Sequence, residues 1–186
     1  MKAYTIVAGV NGTGKSSLLG VLKEQMADLG YIIDVDKITA GNGYSPIEAG
    51  RAAITQIDRL LSIGAPFTQE TTLSGLRTEK TIKTARDSGY FIRLYYIGLN
   101  TCEESIKRIK NRVEKGGHNI DSKTVAARFN TRFDSLLKIL PFCNEAYFMD
   151  NENGFKSVAE YKNGELIVRD GPKPLWLAEL IEELKT

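Results

Sequence analysis

The sequence predicts an α/β fold in one compact domain. Short apolar runs alternate along the chain with longer amphipathic segments, a pattern typical of βαβ units around a parallel sheet. The chain has 186 residues, of which 42% are hydrophobic, and this is enough for one sizeable core but short for two independent domains. A glycine-rich segment joins the first apolar run to the first amphipathic one, an arrangement that indicates a strand, a tight loop and a helix.

Five apolar runs predict the strands of a small parallel sheet, at residues 4–8, 31–35, 66–69, 91–98 and 146–149. Amphipathic segments between them predict helices at residues 15–29, 46–62, 76–88, 103–115 and 122–140. In the last of these, apolar residues at helical spacing form a buried stripe, and Arg128 and Arg132 lie together at one margin of it.

The composition changes after Asp150. Residues 155–161 and 165–169 flank Asn163-Gly164, a pair that favours the type I′ turn of a β-hairpin. Two prolines then precede an amphipathic closing helix. We expect residues 1–150 to form the main domain and residues 151–186 to pack on it as a hairpin and helix appendage.

The charge is balanced over the whole chain but not locally. The formal net charge is +2, yet residues 107–132 contain eight Lys or Arg against Glu114 and Asp121, which leaves a net −4 for the rest. This concentration predicts that an anionic group docks on the segment. Cys102 and Cys143 lack the spacing of a zinc or redox pair, and no long apolar stretch opens the chain, so we expect a protein of the reducing cytoplasm that is not bound to membranes.

The glycine-rich segment matches the complete P-loop pattern G-x-x-x-x-G-K-[ST] at residues 9–16. In such a loop the backbone N–H groups and the helix N-terminus face phosphate oxygens, the lysine reaches the β- and γ-phosphates, and the hydroxyl that follows binds Mg²⁺. The pattern predicts ATP and Mg²⁺ as ligands. The candidate nucleotide-binding residues are Gly9, Asn11, Gly12, Thr13, Gly14, Lys15, Ser16 and Ser17, with Ser16 as the metal ligand.

Asp36 follows the apolar run at residues 31–35. The carboxyl ends of parallel strands border the catalytic crevice of an open α/β sheet, so Asp36 is a candidate to accept the proton of an acceptor hydroxyl. The alternative is a helix N-cap or a solvated loop carboxylate, a role that suits Asp34 better than Asp36.

Glu70 and Thr71 follow the third predicted strand in the same way. Glu70 is a candidate to bind the acceptor hydroxyl or to support Mg²⁺ from its outer shell, and Thr71 or Thr72 to hydrogen-bond the substrate. Alternatively, the run of hydroxyl residues caps the next helix.

The basic segment at residues 107–132 is a candidate lid, because phosphoryl transfer needs positive charge over the transferred group and exclusion of water. Its arginines are the candidates for this role, with Arg112 and Arg128 foremost and Arg108 and Arg132 beside them. The lysines of the segment are expected to be solvated. A glycine pair at 116–117 joins the two helices, and His118 is either a contact at the tip of the lid or an ordinary loop residue.

Taken in order, these segments resemble the small zeta-toxin-like P-loop kinases. The resemblance covers residues 4 to about 150 and is carried by residues 8–17, Asp36, residues 69–75, 96–100 and 112–120. It implies the P-loop nucleoside-triphosphate hydrolase fold with a five-stranded parallel sheet in the order 2-3-1-4-5, and an ATP- and Mg²⁺-dependent kinase. It also implies Asp36 as base, Glu70 as the acid on the acceptor side and Arg112 as a lid arginine; the characterised toxins phosphorylate a UDP-activated amino sugar.

Three functions are compatible with the sequence. The first is a kinase that moves the γ-phosphate of ATP to a hydroxyl of a small molecule. The second is a kinase or binder of nucleic-acid ends, which the basic segment suggests but the scarcity of aromatic residues in it disfavours. The third is an ATP-binding regulatory protein without transfer activity, which Asp36 and Glu70 disfavour. No antitoxin-like segment is found in the chain, and a separate antitoxin partner is left open.

Overall fold

The structure is a computed structural model that describes residues 1–26, 28–117 and 119–185. Its strands are β1 (Ala3–Ala8), β2 (Tyr31–Ile33), β3 (Phe67–Thr71), β4 (Phe91–Gly98), β5 (Glu145–Asp150), β6 (Lys156–Lys162) and β7 (Glu165–Val168). Its helices are α1 (Lys15–Gln25), α2 (Val35–Asn42), α3 (Pro46–Ile63), α4 (Arg77–Asp87), α5 (Cys102–Glu114), α6 (Ser122–Asn130), α7 (Asp134–Ile139) and α8 (Leu175–Glu183), with a 3₁₀ turn at Leu140–Phe142.

Within the described residues the strands form one seven-stranded sheet in the order β2-β3-β1-β4-β5-β6-β7. The first five strands are parallel and confirm the predicted order 2-3-1-4-5. The expectation of a five-stranded, purely parallel sheet was wrong, because β6 and β7 join the sheet beside β5 in antiparallel pairing. The hairpin turn has positive φ at Asn163 and Gly164, as a type I′ turn requires, and β6 finds its hydrogen-bond partners on the edge that β5 would otherwise expose.

Alternate residues of the central strands pack on opposite faces of the sheet. Tyr4, Ile6 and Ala8 of β1 belong to the larger core, which also contains buried residues of α3, α4, α7 and α8. Val7 points to the other face, where α1 covers it with Leu18, Leu19 and Leu22. Because β1, β3 and β4 are parallel, their carboxyl ends lie side by side. We call this side of the sheet, where the three strands end, its open edge.

The second predicted strand is shorter than expected. It ends at Ile33, and Asp34 is the N-cap of α2, with its carboxylate accepting a hydrogen bond from Lys37 N at 3.2 Å. Asp36 therefore lies in the first turn of α2 and does not extend a strand. The first helix is also shorter than predicted and ends at Gln25, because Met26 is already extended.

The predicted helix at 122–140 is interrupted. Helix α6 ends at Asn130 and α7 begins at Asp134. The two halves bury their apolar faces in different places, since Phe129 packs with Val10 and Leu99 whereas Leu136 joins the larger core. A turn at residues 131–133 thus separates the two contacts.

Helix α8 closes the larger core through Trp176, which is fully buried. Its indole lies against Gly98 at the end of β4, where a Cβ atom would come within 2.1 Å of the ring. Trp176 Nε1 donates to Asp150 Oδ1 at 2.9 Å, and Trp176 N donates to Asn100 Oδ1 at 3.2 Å. Among the described helices, none is long and apolar enough to cross a membrane.

Candidate active site

The P-loop joins β1 to α1 at the open edge of the sheet, as the sequence predicts. Gly12 has φ +79°, and a Cβ atom there would come within 2.8 Å of Ser105 O in α5. Glycine is therefore required at this position both for the left-handed backbone and for the close approach of α5. Thr13 is buried, and its hydroxyl donates to Val10 O at 3.0 Å, which ties the loop together from inside.

Lys15 lies at the start of α1 with its side chain folded back under the loop. It is 8% exposed, and Nζ donates to Val10 O at 3.0 Å. Burial lowers the pKa of Lys15 to about 8, although the charges of Glu70 and Asp36 act in the opposite direction. The ammonium is thus poorly solvated, and contact with an anionic group such as a phosphate would stabilise its charged form.

Four of the charged residues that the sequence singles out act on the charge of Lys15. Asp36 and Glu70 raise the pKa of its ammonium, whereas Arg112 and Arg128 lower it, so all four lie close enough to act on this charge. The register of the sheet explains why the two carboxylates lie near the P-loop. Glu70 pairs with Val7 next to the P-loop, and Ile33 pairs with Gln69, which brings the start of α2 beside Glu70.

Glu70 and Ser16 face each other across the edge of the sheet. Ser16 Oγ donates to Glu70 Oε1 at 3.0 Å, and Glu70 Oε2 is buried without a hydrogen-bond partner among the described residues. Burial raises the pKa of the Glu70 carboxyl, helped by Asp34 and Asp36 and opposed by Lys15 and by the bond from Ser16. Glu70 Oε2 and the lone pairs of Ser16 Oγ can therefore bind a cation or accept a hydrogen bond.

The arginines of the basic segment have different surroundings. Arg128 Nη1 donates to Asn11 Oδ1 at 3.0 Å, a contact that joins α6 to the P-loop. Arg108 bonds to Glu104 and donates to Asn151 O at 2.7 Å. Arg132 turns away from the loop: it stacks on Phe129 and Phe133 and pairs with Glu179 of α8.

The remaining predicted residues lie at or near the loop. Thr71 ends β3, and its hydroxyl accepts from Leu73 N at 3.0 Å, so part of its hydrogen-bonding capacity is used locally. Ser17 is exposed in the first turn of α1, and Gly9, Asn11 and Gly14 complete the loop. His118 lies outside the described residues.

Two polar contacts to the loop were missed by sequence reasoning. Ser105 Oγ donates to Asn11 O at 2.6 Å, and Asn151 Nδ2 donates to Thr13 O at 2.8 Å. Asn151 directly follows β5 at the same edge of the sheet, so the rule that pointed to Asp36 and Glu70 could have found it. No sequence pattern points to Ser105, because its partner is a main-chain oxygen 94 residues away in the chain.

Solved structures share this fold at low sequence identity. The AvrRxo1-ORF1:AvrRxo1-ORF2 structure with ATP aligns with a TM-score of 0.67 at 18% identity, over 99% of this chain. This chain spans 63% of the AvrRxo1 chain that it matches. The PezAT chromosomal toxin–antitoxin system of Streptococcus pneumoniae aligns with a TM-score of 0.59 at 18% identity, over 98% of this chain and 77% of the other. Shikimate kinase from Acinetobacter baumannii with bound shikimate aligns with a TM-score of 0.50 at 14% identity, over 98% and 92%.

These similarities show that the chain shares its fold with AvrRxo1-ORF1, with the PezAT system and with shikimate kinase. No protein-family model matches the sequence. An uncharacterised protein of Haemophilus influenzae is 36% identical over 126 residues, which is 65% of this chain and 88% of that protein. The chain belongs to the same family as this H. influenzae protein.

Proposed function

We propose that the protein is an ATP-dependent phosphotransferase that moves the γ-phosphate to a hydroxyl group of a small molecule. One observation carries the proposal: charged side chains from other elements meet the P-loop around its buried lysine, with Glu70 of β3 bonded to Ser16 and Arg128 of α6 bonded to Asn11. Asp36 of α2 and Arg112 of α5 also act on the charge of Lys15. A loop that only binds nucleotide needs the lysine and the backbone N–H groups. The carboxylates suit activation of an acceptor, and the arginines suit stabilisation of a transferred phosphoryl group.

The phosphates of ATP would be held by the P-loop. The N–H groups of residues 12–16 lie at the N-terminus of α1, and the Lys15 ammonium would exchange its bond to Val10 O for phosphate oxygens. This exchange would relieve the burial penalty that lowers the pKa of Lys15. The burial that destabilises the ammonium would therefore favour binding of the triphosphate.

The oxygens around Ser16 fit Mg²⁺. Ser16 Oγ and Glu70 Oε1 are 3.0 Å apart, and the buried Glu70 Oε2 has no hydrogen-bond partner among the described residues. Hydroxyl and carboxylate oxygens are the donors that Mg²⁺ prefers, so Ser16 would hold the ion directly and Glu70 would support it or orient its water ligands. When bound, the ion would neutralise charge that develops on the phosphate oxygens.

Asp36 is the proposed base. It lies in the first turn of α2, near enough to Lys15 to raise the pKa of that ammonium. Its carboxylate would accept the proton of the acceptor hydroxyl as the oxygen attacks the γ-phosphorus, and Glu70 and Thr71 would hold the acceptor beside it. Asp34 does not compete for this role, because its carboxylate caps α2.

Arg112 and Arg128 would complete the site from the lid. Both act on the charge of the Lys15 ammonium, the group that would contact the γ-phosphate, and this supports a role for them beside the transferred phosphoryl group. Their charge would act most strongly as negative charge spreads over the transferred group. We propose a UDP-amino sugar as the first acceptor to examine, on the strength of the resemblance to the zeta toxins.

Transfer from γ-labelled ATP to a panel of hydroxyl compounds, UDP-amino sugars among them, tests the proposed function. The full chain is compared with Lys15→Ala, and Lys107→Ala serves as the matched control because Lys107 is exposed on α5. We expect labelled product from the wild type and the control and none from Lys15→Ala. Binding of ATP without transfer to any acceptor would refute the kinase and leave an ATP-binding protein.

A further inference from the structure

Two carbonyl groups of the P-loop accept hydrogen bonds from side chains outside the loop. Asn11 O accepts from Ser105 Oγ of α5 at 2.6 Å, and Ser105 is fully buried. Thr13 O accepts at 2.8 Å from Asn151 Nδ2, which belongs to the residue directly after β5. A Cβ atom on Gly14 would come within 2.6 Å of that amide nitrogen, so the Asn151 side chain packs directly against the loop.

The direction of each carbonyl group fixes the direction of the N–H group that follows it. A peptide unit is planar and trans, so its C=O and its N–H point in opposite directions. The bond from Ser105 therefore directs the N–H of Gly12, and the bond from Asn151 directs the N–H of Gly14. These glycines have φ +79° and +94°, and because glycine tolerates many backbone conformations, its own preferences do not hold the peptide units in place.

The N–H groups directed in this way lie in the stretch of the loop that would bind phosphate. In a P-loop, main-chain N–H groups around the second glycine and the lysine cradle the phosphate oxygens. Those of Gly12 and Gly14 point away from α5 and from the end of β5, because their carbonyl partners are bound there. A loop that is ordered by such contacts loses less conformational entropy when it binds a ligand.

Asn151 is itself held in place by the rest of the molecule. Its main-chain oxygen accepts from Arg108 Nη2 of α5 at 2.7 Å. The carboxylate of the preceding residue, Asp150, accepts from Trp176 Nε1 of α8 at 2.9 Å. Residues 151–186 thereby contribute a group that contacts the P-loop, as well as the helix that closes the core.

We propose that Asn151 and Ser105 are positioning residues for the phosphates of ATP. Each fixes one carbonyl group of the P-loop and thereby aims the next N–H group at the triphosphate. Neither side chain needs to touch the nucleotide for this role. The inference rests on the part of the proposed function that concerns nucleotide binding, and it does not depend on the identity of the acceptor.

Calorimetric titration of the full chain with ATP and with inorganic tripolyphosphate, each with Mg²⁺, measures the effect on affinity. Asn151→Ala and Ser105→Ala should each weaken both ligands about fivefold, because one hydrogen bond that orders the loop is lost. The loss should be the same for the two ligands, since tripolyphosphate has neither base nor sugar. Asn153→Ala is the matched control, because Asn153 is exposed two residues further along the chain, and its affinities should stay within about twofold of the wild type.

Amide signals of the ¹⁵N-labelled protein separate positioning from a general loss of stability. In the wild type, tripolyphosphate should shift the amide protons of Gly12 and Gly14 downfield as they bond to phosphate oxygens. Asn151→Ala should reduce the shift at Gly14 more than that at Gly12, and Ser105→Ala should do the reverse, because each side chain fixes its own peptide unit. A residue with a purely structural role would lower the melting temperature and leave this pattern and the affinity of the folded protein unchanged.

The proposal would be overturned by unchanged affinity for tripolyphosphate in both alanine variants or by equal reductions at the two glycines in each of them. A loss of affinity for ATP alone would also overturn it, because the side chain would then contact the nucleoside. If Asn151→Ala does not fold, Asn151→Asp keeps the shape without the N–H donor, and Asn153→Asp controls for the added charge. A wild type that binds neither ligand would refute this inference and nucleotide binding together, whereas binding of ATP without transfer would refute the kinase alone.

Discussion

Lys15 carries its charge in a position where water reaches it poorly. The ammonium is retained because it bonds to Val10 O and lies near Asp36 and Glu70, yet burial still lowers its pKa to about 8. If the loop holds ATP as proposed, this residue alone would make the affinity for nucleotide depend on pH.

We expect the affinity for Mg²⁺ and ATP to fall as the pH rises through about 8. A lowered pKa means that the protonated form dominates below this value and the neutral amine above it, and the neutral amine attracts phosphate weakly. The loss should reach about tenfold between pH 7 and pH 9. Isothermal titration at several pH values measures it. Lys15→Ala should bind more weakly throughout and show a flat profile over this range; a pH dependence that persisted in this variant would assign the titration to another group.

Asp36→Asn should separate binding from chemistry. The amide keeps the shape of the carboxylate but is a far poorer proton acceptor, so the affinity for ATP should stay within a few fold while turnover falls roughly 10²-fold or more. Calorimetry and transfer of labelled phosphate give the two quantities.

Asp34→Asn is the matched control for this substitution. Asparagine caps helices about as well as aspartate, so α2 should keep its N-terminus and turnover should change little. If the two variants lost turnover equally, the carboxylate at position 36 would have no special role in proton transfer.

At the scale of the elements, α5 and α6 behave as two parts of one cover over the P-loop. Helix α5 approaches through Ser105, whose hydroxyl donates to Asn11 O, and α6 through Arg128, which donates to Asn11 Oδ1. Both contacts involve Asn11. A ligand that displaced Asn11 would therefore change the contacts of both helices with the P-loop.

Nucleotide should therefore protect the connection between α5 and α6 from proteolysis. The connection follows Glu114, and it begins with the exposed residues Lys115 and Gly116, where Gly116 has φ +84°, so a protease can reach the chain there. We expect a non-hydrolysable ATP analogue to slow cleavage at residues 115–121 several-fold, measured by mass spectrometry of the fragments. Cleavage at the same rate with and without the analogue would mean that the helices do not close over it.

Arg112→Ala should reduce turnover more than it reduces ATP affinity. The guanidinium lies close enough to influence the Lys15 ammonium, and its charge matters most when negative charge spreads in the transition state. Lys107→Ala, an exposed position on the same helix, should change neither quantity. Turnover and ATP affinity are measured for both variants under the same conditions. If the two variants gave the same values, the basic segment would be a solvated surface without a role in transfer.

At the scale of the whole molecule, the chain after Asp150 is built into the sheet and core of the preceding part. Strands β6 and β7 extend the sheet beyond β5, and α8 inserts Trp176 between Gly98, Tyr96 and the larger core. The indole also donates to Asp150 at the end of β5. Residues 151–186 should consequently unfold together with residues 1–150.

Trp176→Ala should lower the free energy of unfolding by about 3–5 kcal/mol, because it leaves a cavity against Gly98 and removes the partner of Asp150. Urea denaturation followed by circular dichroism measures the loss. Leu175→Ala is the control on the same helix, since Leu175 is 65% exposed and should cost little. Equal losses in the two variants would show that α8 is not anchored through Trp176.

The sequence by itself determined the local features of this protein. The P-loop, its strand and its helix are contiguous in the chain, and the type I′ turn at Asn163-Gly164 follows from the φ angles that these two residues tolerate. The order of the first five strands followed from the resemblance that these motifs carry, and the structure confirms it.

Tertiary structure alone decided which distant residues meet. Asp36 sits in a helix because Asp34 caps it, α6 and α7 separate because each half packs on a different core, and the hairpin joins the sheet because β5 offers an unpaired edge. The bonds from Arg128 and Ser105 to Asn11 span 117 and 94 residues. Such contacts depend on how elements pack, and neither residue propensity nor spacing along the chain encodes them.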